Sequence, residues 1–133
     1  MGPEFRRVVK KRTLDIVKEM VRGYNPRAAF EGRYHVAVGE GRIKGCVSLA
    51  RRSWYLTEVK HLFVREEFRG NGMGKYLVTK ALGKIDTPLA CCTVRADNSI
   101  SLGLFRRRGF QVIREFKNPE TGDQILFLVK SMD

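Results

Sequence analysis

The sequence predicts a mixed α/β fold: a central, mostly antiparallel sheet of about six to seven strands flanked by three to four helices. Three observations lead there. Short runs of alternating or continuous apolar residues recur along the chain, separated by glycine, proline and asparagine turn signals. Three other segments repeat their apolar residues at helical spacing instead. Between one strand-like and one helix-like segment lies Arg69-Gly70-Asn71-Gly72-Met73-Gly74, a glycine-rich turn. With 133 residues, 43% of them hydrophobic, the chain fits one domain over 1–133 with a sizeable core.

The elements follow in order. Residues 5–10 read as a first strand. Thr13 is a plausible N-cap, Asp15 favours the first turn, and Leu14, Val17, Met20 and Val21 fall on one face, so 13–22 is a helix ended by Gly23. Residues 26–31 are a short helix or a loop. Tyr34 to Val38 alternates as a strand, Gly39-Glu40-Gly41 turns it, and Ile43 to Leu49 returns. Trp54 to Val64 is the third strand of that run. Residues 71–84 form a helix with Met73, Leu77, Val78, Ala81 and Leu82 inward. Leu89 to Val94 is a short strand, and Asn98 caps a helix to Arg108 with Ile100, Leu104 and Phe105 inward. Strands 110–116 and 124–129 are joined by the strong turn signal 118–123. No repeat, low-complexity tract or interdomain linker stands out. Residues 1–5 read either as native chain or in part as a cloning remnant.

Composition narrows the function. No apolar run approaches the roughly 20 residues that span a bilayer, and the N-terminus has no apolar signal core. The default expectation is a cytoplasmic protein. Three cysteines, two of them adjacent, make a poor disulfide set; with only two histidines a zinc site is not expected. Lys and Arg total 26 against 14 acidic residues, a net charge of +12, and the pI is about 10.1. Such a field attracts anions. Nucleic acid or an acidic protein surface is a natural partner, and a merely solvated lysine-rich surface is the plain alternative.

The glycine turn is the sharpest clue. A strand-to-helix turn rich in glycine aims unpaired N–H groups, at the positive end of a helix dipole, toward one point. That makes a seat for a phosphate or pyrophosphate. A P-loop is excluded, because Gly74-Lys75 is followed by Tyr76 and Arg69 stands where its first glycine belongs. A dinucleotide fingerprint is excluded by the glycine spacing. The pattern that fits is Arg/Gln-x-x-Gly-x-Gly/Ala, at Arg69, Gly72 and Gly74.

In that segment the chain resembles the GNAT superfamily of N-acetyltransferases. A second segment, Asn98-x-x-Ser101-x-x-Leu104-Phe105-x-x-x-Gly109-Phe110, is similar to the family's Asn-x-x-Ala-x-x-Leu-Tyr-x-x-x-Gly-Phe. The element order also matches, so the resemblance covers roughly residues 5–130 and implies a sheet splayed at the coenzyme site. It implies acetyl transfer from acetyl-CoA to an amine by direct attack, with no metal. It further implies that Leu62, Phe63 and Val64 present backbone groups to the pantetheine arm. Arg69, Gly70, Asn71, Gly72, Met73, Gly74 and Lys75 would hold the pyrophosphate, and Asn98 would contact the coenzyme.

Glu58, eleven residues before Arg69, stands where several protein-lysine acetyltransferases of the family carry a glutamate base. The plain alternative is a glutamate that balances Lys60 and nearby arginines. His61 is the rival base, although strand parity turns it to the other face. The family's tyrosine position is occupied by Phe105, which has no proton to give. Water, Tyr76, Tyr55 or Tyr34 would then protonate the thiolate. Arg106-Arg107-Arg108, the cluster Arg6 to Arg12 and Arg51-Arg52 are the basic groupings. Trp54 and Tyr55 read as a base-stacking platform or as the lining of a hairpin end or a substrate cleft. The acceptor expected is an amine on an acidic protein surface, on an anionic small molecule or linked to nucleic acid, and the sequence does not choose among them. A homodimer is a further implication of the resemblance. The alternatives are a non-catalytic CoA-binding protein and a basic nucleic-acid-binding module.

Overall fold

A computed structural model describes residues 2–133, so the first residue of the expected 1–133 domain lies outside it. The elements are β1 (Glu4–Arg7), α1 (Lys11–Tyr24), β2 (Arg33–Gly39), β3 (Arg42–Arg51), β4 (Leu56–Val64), α2 (Met73–Leu82), β5 (Leu89–Arg95), α3 (Ser99–Arg107), β6 (Gln111–Lys117) and β7 (Gln124–Ser131). A single turn of 3₁₀ helix, Glu66–Phe68, precedes the glycine turn. The strands form one mostly antiparallel sheet in the order β1-β2-β3-β4-β5-β7-β6. The mixed α/β class, with seven strands and three helices among the described residues, agrees with the sequence expectation.

The chain forms two compact units. The first contains the residues up to Ala50 together with Lys60–Lys84. Here β1 pairs antiparallel with β2, and β2 with β3. The apolar stripe of α1 supplies Val17, Met20 and Val21, which pack with Tyr34, Val36 and Cys46. The second unit contains Arg51–Val59 and Ile85–Asp133. In it β5 runs parallel to the start of β4 and antiparallel to β7, which pairs with β6. Ala90, Cys92, Val94, Phe105, Phe110 and Leu128 are buried there.

Several boundaries differ from the sequence reading, for identifiable reasons. Helix α1 starts at Lys11, two residues before the expected cap at Thr13, with Lys10 at the N-cap and no side-chain cap. Its first turn is fastened by a Lys11–Asp15 ion pair of 3.0 Å, one turn apart. Gly23 lies inside the helix, which runs on to Tyr24. The Tyr24 ring stacks on Phe63 at 5.0 Å, and this contact outweighs the local stop signal. Strand β4 begins at Leu56 rather than Trp54, because the Arg52 and Ser53 N–H groups turn back to the Leu56 carbonyl. Ile100 was expected inward but is 83% exposed. It precedes the buried Phe105 by five residues, about 140° around a helix, so the two cannot share a face.

Candidate coenzyme and acetyl-transfer site

In the first unit the site is built from the end of β4 and the start of α2. The chain reverses twice between them, with Gly70 at φ 82° and Gly72 at φ 77°. A side chain at either glycine would meet no atom within 4 Å. What these two positions require is the left-handed backbone, which glycine adopts at least cost. Gly72 is the N-cap of α2. The first helical bond runs from Tyr76 N–H to the Gly72 carbonyl, 2.9 Å. The N–H groups of Met73, Gly74 and Lys75 precede that bond and face the helix entrance.

Arg69 braces this turn against β4. Its Nε donates to the Val64 carbonyl at 2.8 Å, and its guanidinium lies 5.4 Å from the centre of the Phe63 ring. The neighbouring strand admits β4 closely because residue 45 is glycine. A Cβ there would stand 2.5 Å from the Phe63 carbonyl oxygen and 2.9 Å from Leu77 Cδ1. Leu62, Phe63 and Val64 are all half-buried.

His61 was missed as a backbone feature. Its φ is 54°, a left-handed residue inside a strand, which breaks the regular alternation of side chains. The parity argument that turned His61 away therefore does not apply. Its ring docks in the first unit, where Nδ1 shares a 2.7 Å hydrogen bond with the Tyr34 hydroxyl. Phe30 lies at 5.8 Å between ring centres. The His61 carbonyl accepts from the Cys46 thiol at 3.5 Å. Tyr34 is 5% exposed, and burial raises its pKa, so its hydroxyl keeps its proton. The Tyr76 hydroxyl, in contrast, donates to the Pro3 carbonyl at 2.9 Å.

In the second unit, Glu58 sits one residue from the buried Thr57 and Val59. Its side chain is 19% exposed. One oxygen, Oε1, accepts from both Arg52 Nη2 at 2.6 Å and Arg52 Nε at 2.9 Å. The arginine that balances it is thus Arg52. Lys60 is occupied elsewhere, with Glu31 at 2.6 Å. Asn98 caps α3, its side-chain oxygen accepting from Ser101 N–H at 3.1 Å. Phe105 is 4% exposed and packs edge-on to Phe110. At the hairpin end Trp54 is 76% exposed and Tyr55 45%, their rings perpendicular and 5.2 Å apart.

The thiols are free and buried. Burial pushes Cys46 up to about 12. Burial and the nearby Glu58 carboxylate push Cys91 up to about 11. Cys92 is raised as well, again chiefly by burial. Among the described residues no group of three His, Cys, Asp or Glu side chains is placed to hold a metal. No helix among them is long and apolar enough to cross a membrane.

Residues 30–112 match the model of the acetyltransferase (GNAT) domain, and the chain belongs to that family. It is 29% identical over 114 residues to an uncharacterized N-acetyltransferase of Chlorobaculum tepidum, matching 85% of this chain. The chain spans 65% of that relative's length. A GNAT family acetyltransferase from Elizabethkingia anophelis, solved with acetyl-CoA bound, superposes with a TM-score of 0.76 at 17% identity, covering 98% of each chain. An IAA acetyltransferase from Bacillus cereus superposes with a TM-score of 0.79 at 17% identity, covering 98% of this chain and 99% of that one. At those identities the likeness is one of fold.

Proposed function

We propose that this protein is an acetyl-CoA-dependent N-acetyltransferase acting as one domain over 1–133. Membership of the GNAT domain family carries the reading. The left-handed pair Gly70 and Gly72 at the entrance of α2 supports it chemically. In this reading the N–H groups along Arg69 to Lys75 bind the coenzyme pyrophosphate. Leu62, Phe63 and Val64 offer backbone groups to the pantetheine arm in the manner of an added strand. Asn98, whose oxygen is used by its cap, has an amide NH₂ to offer the coenzyme.

The acceptor amine attacks the thioester carbonyl carbon directly. The C–N bond forms, the C–S bond breaks, and the ammonium proton passes to Glu58, through water where the distance requires it. Arg52 holds the Glu58 carboxylate in place. Phe105 has no proton to give, and Tyr76 is committed to Pro3. We assign protonation of the leaving thiolate to the Tyr34–His61 pair, because His61 directly precedes Leu62 and Tyr34 keeps it supplied with a hydrogen bond. The net charge of +12 favours an amine carried on an anionic partner, an acidic protein surface or a nucleic-acid-linked group. Free buried thiols suit a reducing compartment, and we place the protein in the cytoplasm.

Calorimetric titration with acetyl-CoA at low and moderate salt tests the reading. Saturable one-site binding that survives moderate salt is expected, and its absence at low salt would sink it. With binding shown, Glu58→Gln should lower acetyl transfer by about two orders of magnitude or more with little change in acetyl-CoA affinity. Equal turnover at every pH would remove Glu58 from the role of base.

A further inference from the structure

At the far end of α2 from the glycine turn, the first unit carries a small cavity of about 220 Å³ lined by Phe5, Arg7, Arg33, His35 and Lys84. Its composition follows from strand register. Arg7 lies directly opposite His35, and Phe5 opposite Ala37. Alternation puts Phe5 and Arg7 on one face of β1, and Arg33 and His35 on the same face of β2. Helix α2 packs against β2, and Lys84 follows its last turn.

Three cations and an imidazole therefore line one hollow, with no acidic side chain among the lining residues. His35 is only 4% exposed, and its ring is stacked flat on Phe5 at 4.8 Å. Yet its Nδ1 has no hydrogen-bond partner among the described residues. A buried polar nitrogen left unpaired is costly, because it has given up water without a replacement bond. Structures keep such groups rarely, and those that persist call for an explanation. Like charges gathered around a cavity raise the electrostatic cost further, unless an anion enters.

We propose that this cavity binds a phosphate-class oxyanion. Arg7, Arg33 and Lys84 supply the charge and the N–H donors, and the His35 ring closes the floor of the cavity. The ligand's source is a free phosphate or phosphate monoester, or a phosphate of a nucleic-acid strand. Burial and the flanking cations Arg33, Lys84 and Arg7 outweigh the opposing effect of the Arg33 backbone and hold the imidazole well below its usual pKa, at about 4. The ring is thus neutral at pH 7, and one of its nitrogens is an N–H donor. The site is separate from the proposed coenzyme seat, since the ten residues of α2 place about 15 Å of helix between Gly72 and Lys84.

The protein has two histidines, which makes imidazole NMR a direct readout, with His61→Gln assigning the signals. Inorganic phosphate, titrated at low salt in the absence of acetyl-CoA, should shift the His35 ring resonances saturably and leave those of His61 in place. Arg33→Ala and Lys84→Ala, both at exposed positions, should each weaken that response about tenfold. A thymidine octanucleotide that displaces phosphate from His35 supports the site with a strand as its source. One that leaves phosphate bound supports it with a free phosphate as its source. Unmoved His35 resonances overturn the proposal, and so does a response that persists unchanged in the Arg33→Ala/Lys84→Ala double variant. Both readouts are independent of acetyl-CoA binding, so failure here leaves the transferase reading standing, and the reverse holds.

Discussion

Replacing Gly45 by alanine tests whether the close approach of β3 to β4 is required. The added methyl would lie 2.5 Å from the Phe63 carbonyl oxygen, 2.9 Å from Leu77 Cδ1 and 3.3 Å from Val64 Cα. Two of these neighbours are backbone, and Leu77 is fully buried, so no flexible side-chain tip can swing away. Relief must come from moving β4. Overpacking of this kind costs about 1–3 kcal/mol. Against it stands a gain of about 0.4–1 kcal/mol from a less flexible unfolded chain. The steric cost wins, leaving a net loss of about 1–2 kcal/mol, or a fall of roughly 3–10 °C in melting temperature for a chain of this size. Circular dichroism melts measure that fall. Because the displaced residues are Phe63 and Val64, acetyl-CoA affinity should drop more than stability alone explains. A melting temperature equal to or above that of the parent would refute the packing argument. A normal coenzyme affinity in a destabilised variant would refute the assignment of Phe63 and Val64 to the pantetheine arm.

Asn98→Ala removes the side-chain cap of α3 and should cost about 1 kcal/mol in a denaturant titration, whatever its effect on coenzyme binding. His35 has a folded pKa depressed to about 4 from an ordinary 6.5. The unfolded chain therefore binds the extra proton first as pH falls, and stability drops between pH 6.5 and 4 by up to about 3 kcal/mol. Melting curves across that window should fall more steeply for the parent than for His35→Gln. Because all three thiols are buried and raised in pKa, a disulfide exchange reagent at pH 8 should label none of them within minutes until denaturant is added.

Much of this fold was readable because local and tertiary demands agree. The alternation of Tyr34 to Val38, the turn at Gly39-Glu40-Gly41 and the return from Ile43 all appear as β2, a tight turn and β3. There Glu40 and Gly41 take positive φ. Asn98 was readable as a cap because a side-chain oxygen one turn ahead of a free N–H needs no distant partner. Where the reading failed, a distant partner decided. Gly23 stays helical because Tyr24 stacks on Phe63, which is 39 positions further along the chain. His61 becomes left-handed with no glycine to announce it. Its docking on Tyr34 and Phe30, both more than 25 positions away, could not be read from a period-two pattern. The cavity at His35 was invisible for the same reason: Arg7, Arg33, His35 and Lys84 meet only through strand register and the end of a helix.

The basic residues divide into those with partners and those without, and that division bears on what the net charge is for. Arg6 pairs with Glu4, Lys11 with Asp15, Arg42 with Glu67, Arg51 with Asp86, Arg52 with Glu58 and Lys60 with Glu31. Most of these pairs are exposed, and each adds little to stability. Their consequence is local, since they offset the charge of Arg51, Arg52 and two members of the N-terminal cluster, Arg6 and Lys11, as places for an anion to land. Arg51 and Arg52, beside the exposed Trp54 and Tyr55, are thus both ion-paired. Arg7, Arg33 and Lys84, in contrast, surround a hollow that no carboxylate lines. Total charge alone cannot separate a solvated surface from a binding one. The distribution of carboxylates does: none lines the hollow on the β1–β2 face.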